Sequence, residues 1–227
     1  MRGTHATDEL ITYLIGKARE IIPVDDPSHD IDHALRVLAN AELISVYEGG
    51  DRDIITPSAL LHDAIVYPKD DPRSDQAVDE SARVAGEILQ AYDRYPQEKI
   101  AHVKQAIREH SFSRGIRPQS LESKIIQDAD RLEATGAIAI MRTFCSTGQM
   151  KRSFYCDIDP FCQVREPGNY AIDLFYARLL KVADLMNTPT AKGMAVQRTR
   201  FMHDFLEQVR KEITSIKRYK ATTYEHV

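Results

Sequence analysis

Apolar residues recur along this chain at the three- and four-residue spacing of helices, and no stretch alternates with the period of two expected of a half-buried strand. Leu10, Ile11, Leu14, Ile15 and Ala18 make one helical stripe over Asp8 to Ile22, closed by Pro23. A second helix starts near Ser28, carries Ala34, Leu35, Val37, Leu38, Ala41 and Ile44, and stops at Gly49-Gly50. Thr56-Pro57 reads as a cap residue followed by proline at a first helical position, opening a third helix that carries His62-Asp63 and ends before Pro68. A charged loop over 68–75 precedes helices at about Gln76 to Tyr92 and Pro96 to Glu109. A long helix then opens near Ser120 and runs, with Gly136 inside it, to about Phe144. Residues from about 146 to 169 are the least regular and read as a long loop or flap, the kind of segment that often carries function. Two last helices, about Tyr170 to Met186 and Pro189 to Ile216, precede a basic, frayed tail from Lys217. The fold class expected is all-α: a compact multi-helix bundle forming a single domain over 1–227, its core at about 24–145 and the helices of 170–216 packed on it.

Composition changes this picture little. The 227 residues are 43% hydrophobic and 28% charged with a net charge of −4, an ordinary balance for a soluble domain and the wrong sign for a chain built to neutralise nucleic-acid phosphates. No run approaches the roughly 18 apolar residues of a membrane span, and no apolar stretch follows the first residues as a signal peptide would require. Cys145, Cys156 and Cys162 are odd in number and lack C-x-x-C spacing, so they read as reduced thiols of a cytoplasmic protein.

The chemistry concentrates in His33 on the second helix, His62-Asp63 on the third and Asp130 on the long helix. Two imidazoles and two carboxylates on helices that could face one another form a mixed N/O set. Such a set suits a divalent ion of the Mn, Fe, Co, Ni or Zn group, and Mg less well. A structural zinc site would recruit cysteine, and these cysteines are spaced wrongly for one. Against this stands the plainer reading of His62-Asp63 as a hydrogen-bonded core histidine with its partner.

His33-Ala34-Leu35-Arg36-Val37, Leu61-His62-Asp63 and Asp128-Ala129-Asp130-Arg131-Leu132 together resemble the H…HD…D signature of HD-domain phosphohydrolases. The blocks Gln127 to Ile138 and Leu179 to Thr188 are similar to a small bacterial branch of that superfamily, some of whose members are metal-dependent nucleotide pyrophosphatases. The resemblance implies that His33, His62, Asp63 and Asp130 are metal ligands, with Asp128 in a supporting place. It also implies hydrolysis of a nucleotide or other small phosphate ester or anhydride by a metal-bound water, Mn2+ being the favoured ion over Co2+, Ni2+, Fe2+, Mg2+ or Zn2+. The chain departs from other branches of the superfamily. No Gly-Tyr-Pro motif follows the HD pair, and Ala64-Ile65-Val66 stands where alarmone hydrolases and 5′-nucleotidases place acidic residues. Acidic help must then come from Asp70 or Asp71, and Asp71 joins His110 as a candidate catalytic residue.

Arg36, Lys69 and Arg73 are candidate phosphate-binding cations, competing with a reading as solvated surface charge. His110 could give a proton to a leaving oxygen or simply cap its helix. His29, one turn before His33, could bind substrate or a second ion, or be an ordinary polar residue at a helix start. The partner expected is a small phosphorylated molecule, a nucleotide foremost, with no membrane or nucleic-acid partner and a homodimer compatible with the sequence. A competing reading, from a different class, is a catalytically silent HD module that senses a nucleotide by binding it.

Overall fold

The computed structural model describes residues 8–22, 30–67, 71–111 and 115–223, and among them lie nine α-helices and no strand. The helices are α1 (Asp8–Ile21), α2 (Ile31–Glu48), α3 (Arg52–Leu61), α4 (Ala77–Gln90), α5 (Ile100–His110), α6 (Leu121–Arg131), α7 (Gly136–Gln149), α8 (Ala171–Ala177) and α9 (Pro189–Thr223). The all-α expectation holds. No described helix is long and apolar enough to cross a membrane.

By its contacts the chain divides into two compact units. One takes Met1–Ala134 with Asp184–Gly193, the other Thr135–Ala183 with Met194–Val227. In the first unit, α2 packs on α3 and α6, while α5 packs on α3, α4 and α6. Leu14, Val37, Ile44, Ile55, Leu60, Leu61, Leu89, Ile107, Ile125 and Ile126 are shielded almost completely from solvent. Each such side chain contributes roughly 1.5–3 kcal/mol of burial free energy. Helix α3 is the innermost, with every residue from Asp53 to Leu61 buried.

Helix α3 begins earlier than the Thr56-Pro57 pair suggests. Asp51 is its N-cap, its carboxylate accepting from the Asp53 amide at 3.0 Å, and Lys99 bridges Asp51 and Asp53 at 2.7 Å each. Pro57 therefore lies inside the helix, where it offers no N–H to the carbonyl of Asp53 one turn earlier. The buried Tyr95 hydroxyl donates to that carbonyl at 2.8 Å and repairs the ladder from outside.

The helix expected from Ser120 through Gly136 to Phe144 is two helices. After Arg131 the backbone tightens into a 3-10 turn over Leu132–Ala134, Thr135 is extended, and Gly136 adopts φ +70°. Only glycine takes that backbone without strain, and a Cβ there would also stand 3.1 Å from Cβ of Arg198. Gly136 thus marks the break.

In the second unit α7 reaches Gln149, four residues into the segment expected to be irregular. The helix expected over Tyr170 to Met186 ends at Ala177, where Arg178 leaves helical geometry, and continues as a 3-10 stretch over Leu179–Leu185. Fully buried Phe175 has Phe144 at 6.3 Å and Phe205 at 6.0 Å between ring centroids. Helix α9 runs on to Thr223, past the end expected at Ile216.

Candidate metal centre

The HD pair is not within a helix. Helix α3 stops at Leu61, and His62 and Asp63 form the turn beyond it. On a helix, neighbouring side chains diverge by about 100°; in this turn both reach the same place. The turn is held by the amide of Ala64 on the Leu61 carbonyl at 3.2 Å. Ser81 of α4 secures it further, its hydroxyl accepting from the Ile65 amide at 2.9 Å and donating to the Ile65 carbonyl at 3.2 Å.

His33 arrives from the first turn of α2, where Asp30 caps the helix by accepting from the His33 amide at 2.8 Å. Its Nε2 is 3.2 Å from Nε2 of His62, 3.7 Å from Oδ2 of Asp63 and 3.5 Å from Oδ1 of Asp130. Nε2 of His62 is 3.5 Å from Oδ2 of Asp63 and 3.9 Å from Oδ1 of Asp130. His110, the last residue of α5, brings its Nε2 to 3.5 Å from the other Asp63 oxygen, Oδ1. The imidazoles of His33, His62 and His110 are buried and make the floor, while the Asp63 and Asp130 side chains, 21% and 29% exposed, make the solvent edge.

The tautomers follow from the partners on the far side of the rings. Nδ1 of His62 lies 2.8 Å from the Ala59 carbonyl and Nδ1 of His110 2.6 Å from that of Ile107. A carbonyl can only accept, so each Nδ1 carries the hydrogen; Nε2 of His62 then turns a lone pair inward, while Nε2 of His110 faces the Asp63 carboxylate, which favours a hydrogen there as well. Nδ1 of His33 faces the Glu133 carboxylate at 3.4 Å, which has the same consequence as for His62. Lone pairs of His33 and His62 then confront each other at 3.2 Å with carboxylate oxygens alongside, an arrangement that repels unless something positive stands among them. The donor separations of 3.2–3.9 Å are those of atoms sharing one small ion, since bonds of about 2.1 Å at right angles put adjacent ligands about 3 Å apart. The C-terminal ends of α3, α5 and α6 also converge here, and their dipoles favour a cation. The residues fit a divalent ion bound by nitrogen and oxygen.

Burial depresses the charged form of His62 to a pKa of about 4, with neighbouring His110 and His33 adding to the effect against the carboxylates of Asp63 and Asp130. Burial acts on His110 too, yet the hydrogen bond and charge of Asp63, with the charge of Asp130 and the Ile107 carbonyl, keep it above its ordinary value. A ring that stays neutral and a ring that favours its proton thus sit side by side, centroids 4.9 Å apart.

The other residues singled out in the sequence are dispersed. Arg36 spends its Nε on Glu133 at 2.7 Å. The Asp71 carboxylate accepts from the backbone amide, Nε and Nη2 of Arg73, which holds its carboxyl down at about 2. Arg73 lies over the Tyr67 ring at 4.3 Å. His29, Lys69 and Asp70 lie outside the described residues.

Glu133 had no clear signal in the sequence, and neither did the donors that hold Asp128, itself expected in a supporting place. Glu133 is 2% exposed and touches both His33 and Arg36; a glutamate three residues after a ligand candidate was its only mark. The Asp128 carboxylate, fully buried, points away from the histidines. It accepts from the amide of Asn187 at 2.9 Å, Nδ2 of Asn187 at 2.8 Å, and the amide and hydroxyl of Thr188 at 2.8 Å each. Gln127 and Arg131 extend this clamp, Arg131 through the carbonyl of Leu185 and the side chain of Gln127, and Asn187 through Gln127.

The fold and this cluster define the class, and sequence comparison gives it a name. Residues 30–135 match the HD domain family. The chain is 32% identical over 207 residues to the uncharacterised protein YpgQ of Bacillus subtilis (strain 168), covering 87% of this chain and 91% of that one. A crystal structure of an HD-superfamily hydrolase from Bacillus thuringiensis superposes with a TM-score of 0.70 at 35% identity, over 90% of this chain and 96% of the other. Bacillus subtilis YpgQ in complex with ADP superposes with a TM-score of 0.68 at 27% identity, over 89% and 94%. The chain belongs to the HD superfamily and has the fold of its hydrolases.

Proposed function

We propose that this protein is a metal-dependent phosphohydrolase that cleaves a phosphate ester or anhydride of a nucleotide. The observation that carries the reading is the meeting of two imidazole Nε2 lone pairs with carboxylate oxygens of Asp63 and Asp130 on a buried floor open at one edge. His33, His62, Asp63 and Asp130 would hold one divalent ion, Mn2+ first among Co2+, Ni2+, Fe2+, Mg2+ and Zn2+. When bound, such an ion supplies Lewis acidity toward water and phosphoryl oxygens. His110, with Nε2 beside Asp63, holds a proton where a leaving oxygen can take it. Arg36 stands one turn from His33, half-buried with its Nε on Glu133, and would offer its remaining guanidinium N–H groups to the phosphoryl group. His29, Lys69 and Asp71 complete the proposed set from segments that adjoin α2 and the His62-Asp63 turn in the chain. The nucleotide comes from YpgQ, which was crystallised with ADP.

The test is a panel of nucleoside mono-, di- and triphosphates with Mn2+, Co2+, Ni2+ and Mg2+, scored for phosphate and for pyrophosphate, before and after chelation. Metal-dependent release of either product supports the proposal. A protein that binds its ion and releases nothing from any nucleotide would be a sensor instead of an enzyme.

A further inference from the structure

The three histidines of the floor differ in what stands behind them. His62 rests Nδ1 on a main-chain carbonyl of α3, the helix it follows, and His110 on one of α5, the helix it ends. His33 rests on a charged side chain from far along the chain, Oε2 of Glu133 at 3.4 Å. Asp130 and Glu133, three residues apart across the end of α6, thus take the same ring from its two sides: Oδ1 of Asp130 lies 3.5 Å from Nε2 and Oε2 of Glu133 lies 3.4 Å from Nδ1.

Glu133 is placed for this at a cost. It is 2% exposed and follows Leu132, itself fully buried. A carboxylate at that depth is tolerated only when paired and hydrogen-bonded. Arg36 supplies the pairing, its Nε donating to the same Oε2 at 2.7 Å. The shorter contact is the one to Arg36, so the arginine anchors the carboxylate and the carboxylate orients the ring.

Building on the metal centre proposed above, we infer that Glu133 is a positioning residue for His33, acting through the imidazole and held in place by Arg36. It fixes the Nδ1–H tautomer, turns Nε2 inward and makes that nitrogen a stronger donor. Arg36 accordingly serves the centre from behind as well as any substrate in front.

The experiment uses the full chain without substrate. Co2+ is titrated against a competing fluorescent chelator for wild type, Glu133→Gln and Arg36→Gln, and the visible absorption of the Co2+-saturated proteins is recorded. Glu133→Gln, which keeps the size and removes the charge, is expected to weaken Co2+ binding by roughly 10–100-fold and to shift the cobalt bands. Arg36→Gln is expected to act in the same direction and more weakly, and decides the matter should Glu133→Gln not fold. Wild-type affinity and unchanged cobalt bands in a folded variant, with only a lowered melting temperature, would make Glu133 a packing residue and overturn the inference. Failure of wild type itself to take up Co2+ would overturn the metal-centre reading instead, so the two failures are distinct.

Discussion

Asp128 and Asp130 stand two residues apart on α6 and have opposite fates. Two positions along a helix turn a side chain by about 200°, so one carboxylate faces the strap of residues 185–188 and the other faces the histidines. Asp128 is surrounded by N–H and O–H groups of Asn187 and Thr188 at 2.8–3.1 Å. Asp130 is surrounded by atoms that, like itself, have lone pairs to give. A carboxylate whose acceptor sites are filled by fixed donors is a joint. One aimed at other acceptors is half of an interaction whose other half is a cation. Chemical type alone would not separate them; burial and the identity of the neighbours do.

The contrast can be broken most decisively at Asp130. Asp130→Ala should lower metal affinity by more than about 100-fold, beyond what loss of a supporting partner costs, and abolish nucleotide hydrolysis while the apo protein keeps its melting temperature. The same loss is expected for His33→Ala, His62→Ala and Asp63→Ala, measured by metal analysis of the dialysed proteins. Asp128→Ala should do the reverse. It strands several buried donors at once, and a loss of about 3–5 kcal/mol in denaturant unfolding is expected, with metal content per folded chain intact. If Asp128→Ala loses the metal and Asp130→Ala retains it, the two roles have been exchanged.

Chelation sharpens the same comparison. At a free metal concentration of about 100 times Kd, bound ion stabilises the native state by about 2.7 kcal/mol. Adding Mn2+ to apo protein should raise the melting temperature of wild type and of Asp128→Ala, and leave that of Asp130→Ala where it was. A shift of equal size in Asp130→Ala would place the ion elsewhere. The smallest effect belongs to Thr188→Val. Its hydroxyl donates to Asp128 at 2.8 Å and accepts from the Ala191 amide at 3.3 Å in the first turn of α9, so a loss of about 1 kcal/mol is expected, again without change in metal affinity.

Periodicity made the helices legible where one apolar stripe ran between strong stops. Asp8–Ile21 and Ile31–Glu48 lie within a few residues of their expected limits, with Gly49 closing α2 at φ +83°. It misplaced boundaries that depend on partners distant in the chain. Pro57 reads as a helix start because its missing N–H would cost nothing there, and nothing local reveals that Tyr95 will serve the stranded carbonyl. Gly136 reads as a tolerated helix residue because its positive φ has no local signature. The residues of the centre were visible as types in order along the chain. Their meeting was less so, since His62 and Asp63 lie just past the end of α3 and meet His33 and Asp130 from helices distant in the chain. Glu133 escaped notice for the same reason. Its task is set by His33 and Arg36, about a hundred positions earlier in the chain.

The Tyr95 hydroxyl on the Asp53 carbonyl has a kinetic consequence. Helix α3 cannot complete its own ladder, so a peptide spanning residues 51–63 should be poorly helical in isolation, a point circular dichroism can check against a Pro57→Ala version. In the intact chain α3 then consolidates only as α5 and the segment before it dock, and the His62-Asp63 turn at its end is delivered with them. Metal capture would accordingly be a late event of folding, one for which a nascent chain does not compete until its tertiary contacts exist.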